Sequence, residues 1–368
     1  MTKLKFFQEL INSLFVKQKN YKSFSFFLDK KKQLTTKEYL HNVASAKGEV
    51  SALNHAELLL SHCEQLNDKE LMRFFELLRK NYEVNSGNLL VAIQNYNYEK
   101  NSENLINLMK LSEPSRRDIF TRCNGITRGT IRLVNLRKRL LEFIIKKPEL
   151  KAVDFDLVYL LKNWFNRGFL ILRPINWETP AHILEKIIAY EAVHEINSWD
   201  ELRARLAPKD RRCFAFFHPA MQDEPIIFVE VALTKEIPSN IQNVLKKERV
   251  FLEPEEANVA VFYSISNCQK GLTGISFGNF LIKQVATDLG HEFKNLKSFV
   301  TLSPIPGFRR WMRNKYPKLN LKIEKIKKSD QLSKMKDDLL TCLGEYFFKS
   351  ERSDKMPNDP VARFHLGN

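Results

Sequence analysis

No apolar run in this sequence approaches the roughly 18 residues that a membrane-spanning helix needs. The amino-terminal stretch carries lysines at positions 3 and 5 but no sustained apolar core and no small-residue cleavage site. It reads as the first helix of a domain, not as a secretory leader. Cysteine is sparse: the five residues Cys63, Cys123, Cys213, Cys268 and Cys342 are scattered, odd in number and without a CxxC pair. Neither a disulfide framework nor a zinc site is suggested, and a reducing compartment, the cytoplasm, fits best. The dinucleotide pattern GxGxxG and the P-loop pattern GxxxxGK[ST] are both missing, which argues against a classical dehydrogenase and a P-loop hydrolase. No helix-turn-helix or aromatic-rich RNA motif supports a nucleic-acid partner.

What is present is an ordinary globular composition, 43% hydrophobic and 28% charged over 368 residues, long enough for two domains with sizeable cores. The formal charge of +16 raises the question of a polyanionic partner. Nucleic acid, a coenzyme A thioester with its phosphates, and simple enrichment in lysine all remain open on charge alone.

The first 160 or so residues read as successive helices. Residues 51–66 set Leu53, Ala56, Leu59, Leu60 and Cys63 on a helical stripe, and residues 68–82 repeat it with Leu71, Phe74, Phe75 and Leu78. Residues 102–111 and 127–147 continue the pattern. A helical bundle for packing or oligomerisation, residues 1–166, is expected. The texture changes near Trp164 to Gly168. A helix is predicted over residues 180–196, with Thr179 as N-cap and Pro180 in the first turn. Strands follow over residues 213–217, 226–233 and 258–266, and a second domain is placed at 167–368.

Residues 258–289 are the most informative local stretch. A β-branched and aromatic strand runs into a glycine-punctuated loop, 267–278, and then into a helix with Phe277, Leu281, Val285 and Leu289 on one face. A strand, a glycine loop and a helix start direct free backbone N–H groups and a positive dipole end at one spot, where a pyrophosphate fits. Gly271, Gly274 and Gly278 would let the backbone come close to it. An ordinary strand-to-helix turn that needs glycine for its geometry accounts for the same pattern. Gln269 and Lys270 are candidates for contact with phosphate.

Several ordered blocks carry a resemblance: 212–219 (RCFAFFHP), 223–234 (DEPIIFVEVALT), 262–266 (FYSIS), 271–283 (GLTGISFGNFLIK), 302–308 (LSPIPGF) and 359–368 (DPVARFHLGN). Residues 177–180 (WETP) through His194 add to it. In order and spacing these blocks resemble the malonyl-CoA decarboxylase family. The resemblance implies an α+β chain, a helical amino-terminal domain followed by a catalytic domain of the GNAT-type acetyltransferase fold. It implies conversion of malonyl-CoA to acetyl-CoA and carbon dioxide through an enolate, in fatty acid metabolism, with no cofactor. The family's acyl-CoA-binding loop falls on Thr273, Gly274, Ile275, Ser276, Phe277, Gly278 and Asn279. Its catalytic serine and histidine fall on Ser303 and His365.

Malonyl-CoA and acetyl-CoA are therefore the expected ligands, with no nucleic acid, no membrane and no metal, and a homo-oligomer is expected. His218 is read as structural, the lysine-rich run 318–328 as a solvated face, and residues 329–348 as one amphipathic helix. The family's motif around the histidine continues beyond Gly367-Asn368, so the catalytic domain is expected to be incomplete at its carboxy terminus. An acyltransferase on the same fold and an inactive acyl-CoA-binding relic are the alternatives.

Overall fold

The computed structural model describes residues 34–246, 248–275, 277–326, 335–349 and 356–366. The helix expected over residues 1–9 lies outside them, as does the start of the one expected over 329–348. Two compact units emerge. One holds residues 34–170 together with His218–Gln222 and Gln269–Ile275; the other holds Ile171–Phe217, Asp223–Cys268 and the residues from 276 onward.

The first unit is helical: α1 (Thr36–Ser45), α2 (Glu49–Gln65), α3 (Asp68–Asn81), α4 (Ser86–Tyr98), α5 (Ser102–Leu111), α6 (Arg116–Asn124), α7 (Gly129–Ile144) and α8 (Lys151–Trp164). Local chemistry starts these helices where they start. Thr35 with Glu38 and Asn67 with Glu70 form capping boxes on α1 and α3, and Asn85 and Asn101 cap α4 and α5. The stripes read from the sequence point inward: Leu59, Leu60 and Cys63 of α2 meet Leu71, Phe74, Phe75 and Leu78 of α3 in one core with Phe120, Leu140 and Leu157. Phe75 packs edge-on against Phe74 and Phe143. Truncating it to alanine would cost about 3–5 kcal/mol in transfer and cavity terms. Opposite charge meets the carboxylate buried beside this core: Asp156 accepts from Arg116 Nε and Arg117 Nε, both at 2.6 Å.

The second unit is built on a five-stranded sheet in the order β1 (Ile171–Ile175), β2 (Arg211–Phe217), β3 (Pro225–Thr234), β4 (Val259–Asn267), β5 (Ser298–Thr301). Strands β1 to β4 are antiparallel, and β5 lies parallel to β4. That parallel pairing requires a crossover, supplied by α12 (Gly278–Glu292). Strand β3 is buried from Pro225 to Leu233 because both faces of the sheet are covered. On one face Cys213, Ala215, Phe217 and Phe228 pack with Ile183, Leu184 and Ile187 of α9 (Ala181–Tyr190) and with Leu202 and Leu206 of α10 (Trp199–Leu206). On the other, Phe216 stacks on Phe280 of α12 at 5.3 Å between ring centres. The short α11 (Ile241–Leu245) precedes β4. After β5 come α13 (Phe308–Lys315), α14 (Pro317–Glu324), α15 (Lys336–Phe348) and α16 (Pro360–Leu366). The chain is thus α+β, as the sequence implied.

The helix predicted over residues 180–196 is shorter at both ends. Thr179 is not its N-cap: the hydroxyl accepts from the Asn176 N–H (3.1 Å) to close a turn, and Pro180 takes the cap position. At the far end Glu191 leaves helical geometry. Its buried carboxylate accepts from the Val193 and His194 N–H groups and from the Ser264 hydroxyl, 2.7–2.8 Å away in each case. A carboxylate aimed into the sheet in this way replaces the next helical turn.

Candidate active site

Backbone pairing brings Ser303 into position. The Leu302 N–H donates to the Phe262 carbonyl at 2.9 Å, extending the β4–β5 ladder by one rung. The chain then reaches Pro304 and Pro306, which have no N–H to give, and the ladder stops. Ser303, half-buried at this departure, places Oγ 3.0 Å from Nε2 of His365, 62 residues further along the chain. His365 sits in the last turn of α16 with the Phe364 ring edge-on, 5.1 Å between centres. Burial pushes the His365 pKa down from its ordinary value, which favours the neutral ring. Helix α12 packs against α16.

The predicted acyl-CoA loop is divided between the two units. In the helical unit, the Thr273 N–H and hydroxyl both reach the Lys270 carbonyl, and the Ile275 N–H reaches that of Leu272. Arg137 of α7, buried and paired with Asp154 at 2.7 Å, donates to the Gly271 and Thr273 carbonyls at 2.6 and 2.9 Å. Thr273 and Gly274 are exposed, and Gly274 has φ +83°, a backbone position that favours glycine. Ile275 is buried. In the other unit, Phe277 is the N-cap of α12 and supplies no side-chain cap. Ser276 lies outside the described residues. Phe277, Leu281, Val285 and Leu289 form the buried face the sequence predicted.

Gly271 does something other than expected. A Cβ there would lie 1.9 Å from the Val134 carbonyl oxygen of α7. Glycine is required here for close packing on a helix. Of the two side chains suggested beside it, Gln269 is buried and Lys270 exposed. His218 is structural, as read: Nε2 lies 3.1 Å from the Trp164 carbonyl and Nδ1 accepts from the Ala220 N–H.

Three features escaped the sequence. Asp359 is fully buried and caps α16, accepting from the Val361 and Ala362 N–H groups at 2.9 and 3.0 Å. The dipeptide Asp359-Pro360 is a helix-start signal that could have revealed it. Tyr346 of α15 donates to the same carboxylate at 3.0 Å. The third is a buried polar cluster at the β3–β4 register shift beside Glu230. Glu230 Oε2 accepts from Arg205 at 3.0 Å, whereas Glu230 Oε1, Tyr263 Oη and His194 Nε2 have no partner. Burial raises the Glu230 pKa to about 7, tempered by Arg205. Among the described residues, no three His, Cys, Asp or Glu side chains converge as a metal ion would require.

Comparison with known proteins adds independent weight. Residues 168–368 match the malonyl-CoA decarboxylase C-terminal domain, and residues 82–165 match the malonyl-CoA decarboxylase N-terminal domain. The chain belongs to the malonyl-CoA decarboxylase family. Among solved structures it resembles the malonyl-CoA decarboxylase of Agrobacterium vitis, at 45% identity and a TM-score of 0.85 over 90% of this chain and 85% of that one. The malonyl-CoA decarboxylase of Rhodopseudomonas palustris gives 41% identity and the same TM-score, over 91% and 86%. The mitochondrial malonyl-CoA decarboxylase of Mus musculus is 40% identical over 206 residues, 54% of this chain and 42% of that protein. The match thus spans less than half the length of this curated relative. Ser303, His365 and the 273–279 loop all fall inside the segment matched to the family's C-terminal domain.

Proposed function

We propose that this protein converts malonyl-CoA to acetyl-CoA and carbon dioxide. Ser303 and His365 form the catalytic pair, and residues 273–279 bind the acyl-CoA. The observation that carries this reading is the 3.0 Å approach of Ser303 Oγ to His365 Nε2 across 62 residues of chain, within the family-matched segment.

The chemistry suits such a pair. The bond between the malonyl carboxylate and the α-carbon breaks, its electrons pass into the thioester, and carbon dioxide leaves. The resulting enolate takes one proton at the α-carbon to become acetyl-CoA. The thioester is the electron sink, so the protein needs to stabilise one developing oxyanion and deliver one proton. A serine hydroxyl is a poor base at neutral pH. Ser303, held by His365 and stiffened by two following prolines, instead donates to the thioester oxygen as charge grows there. His365 supplies the proton. Its neutral ring is favoured in the free protein because burial disfavours the cation. The arriving malonyl carboxylate favours the cation, so the imidazolium forms when an acid is needed.

Phosphate binding by the loop is supported by the exposed Gly274 turn and the grip of Arg137 on the loop's carbonyls. The acetyltransferase-type layout is supported by the mainly antiparallel sheet whose last strand returns parallel after α12. Self-association is supported by the apolar side chains that α4 and α5 leave exposed, Leu90, Val91, Ile106 and Met109. Five buried, unpaired thiols fit a reducing compartment such as the cytoplasm. The test is direct: malonyl-CoA incubated with the protein and no acyl acceptor should yield acetyl-CoA and carbon dioxide in equal amounts. Substrate returned intact overturns the reading.

A further inference from the structure

Ser303 and His365 come from segments that no regular element joins, so something must hold their separation. Ser303 is tied at its upstream side by the Leu302 rung of the sheet. Downstream the loop ends at Gly307, whose carbonyl begins α13 by accepting from the Trp311 N–H. His365 is fixed only as firmly as α16, a helix of seven residues. Both segments lead to one hydroxyl. Tyr346 is 3% exposed, and its ring is wedged against Phe308 and Trp311 of α13, at 5.6 and 5.2 Å between centres. Its Oη donates to Asp359 Oδ2, while Asp359 Oδ1 holds the first N–H groups of α16. The same Oη lies 2.1 Å from where a Cβ on residue 307 would be, and Asp359 Oδ2 lies 3.3 Å from that point. Only glycine lets loop, tyrosine and aspartate close on one another.

We propose that Gly307, Tyr346 and Asp359 are positioning residues, a clasp that sets the distance between Ser303 and His365 by pinning the serine loop and the histidine helix to one tyrosine hydroxyl. The clasp rests on the reading that Ser303 and His365 meet the substrate. Tyr346 is suited to the task because it stays a donor. Burial and the Asp359 carboxylate push its pKa up to about 12, against the opposing pull of Arg310 and Arg363. Neither tyrosine nor aspartate need touch substrate: a shift of about 1 Å in a reacting group can cost on the order of 100-fold in rate.

The geometry predicts non-additivity. In Gly307→Ala the new methyl collides with Tyr346 Oη, and in Tyr346→Phe that oxygen is gone, leaving Asp359 Oδ2 at 3.3 Å and the ring carbon Cζ at 3.4 Å, which a shift of a few tenths of an ångström relieves. Gly307→Ala should therefore lower kcat by about 100-fold and Tyr346→Phe by about 10-fold, with KM for malonyl-CoA within about threefold. The double variant should match Tyr346→Phe alone to within about twofold. The His365 ring, followed by NMR titration, should move up toward its ordinary value of about 6.5 in Gly307→Ala as the helix loosens and water enters. It should return in the double variant. Asp359→Asn, which keeps a carbonyl for the helix N–H groups, should retain more activity than Asp359→Ala. Multiplying single-variant losses, or a His365 titration indifferent to Gly307→Ala, overturns the clasp. If Gly307→Ala does not fold, an unchanged kcat and His365 titration in Tyr346→Phe overturn it equally. A wild-type protein that leaves malonyl-CoA intact sinks the functional reading alone, because the His365 titration still judges the clasp.

Discussion

The two units enclose polar groups differently. In the helical unit Asp156 lies between Arg116 and Arg117, and Arg137 rests on Asp154 and two carbonyls. In the sheet unit Glu230, Tyr263 and His194 each bury an atom with no partner, and the Ser303–His365 pair sits where strand pairing gives out. Paired interior charge makes a scaffold, since its geometry is over-determined. Burial that its partner only partly offsets brings the Glu230 carboxyl up to about 7, within reach of neutral pH. The difference teaches where chemistry can be placed without loosening the rest.

Substitution on either side can break that contrast. The largest effect is expected at the pair: Ser303→Ala and His365→Asn should each lower turnover by about 1,000-fold while acetyl-CoA affinity stays within a few fold. Steady-state rates and calorimetry read the two quantities, and normal turnover in both variants would remove the contrast altogether. Next is Arg116→Ala in the helical unit. It strips a partner from a buried carboxylate and should cost about 3 kcal/mol in denaturant unfolding, with little effect on kcat. The smallest effect is conditional. Glu230 has its folded pKa raised above the unfolded value, so its contribution to stability is complete below about 4.5 and lost as pH rises through about 7. Glu230→Gln stays neutral throughout. It should melt with wild type at pH 4.5 and exceed it by about 2–3 kcal/mol at pH 8. Parallel curves at both pH values would show that the Glu230 carboxyl is not shifted by the fold.

How much of this could be read in advance depends on the range over which each cause acts. The helical stripes of α2 and α3, the buried face of α12 and the strands β2 to β4 were legible because they follow from periodicity within a few residues. The α+β order followed from the resemblance. The packing role of Gly271 was not legible because its reason is the Val134 carbonyl, 137 positions away in sequence and invisible to any local pattern. The end of α9 was missed for the same reason: Glu191 looks like one more exposed helical glutamate until Ser264 and Ser266 of β4 are in place to receive it. Ser303 and His365 were named through family likeness alone, and nothing in either neighbourhood foretold that they would meet.

The five thiols, all buried, offer a use of their own. Burial raises their pKa values, so none presents a reactive thiolate while the fold is shut. Cys63 and Cys123 belong to the helical unit, and Cys213, Cys268 and Cys342 to the other. An alkylating reagent therefore becomes a clock with two hands. The order in which peptides acquire label reports which half of the molecule breathes first, without any residue having been changed.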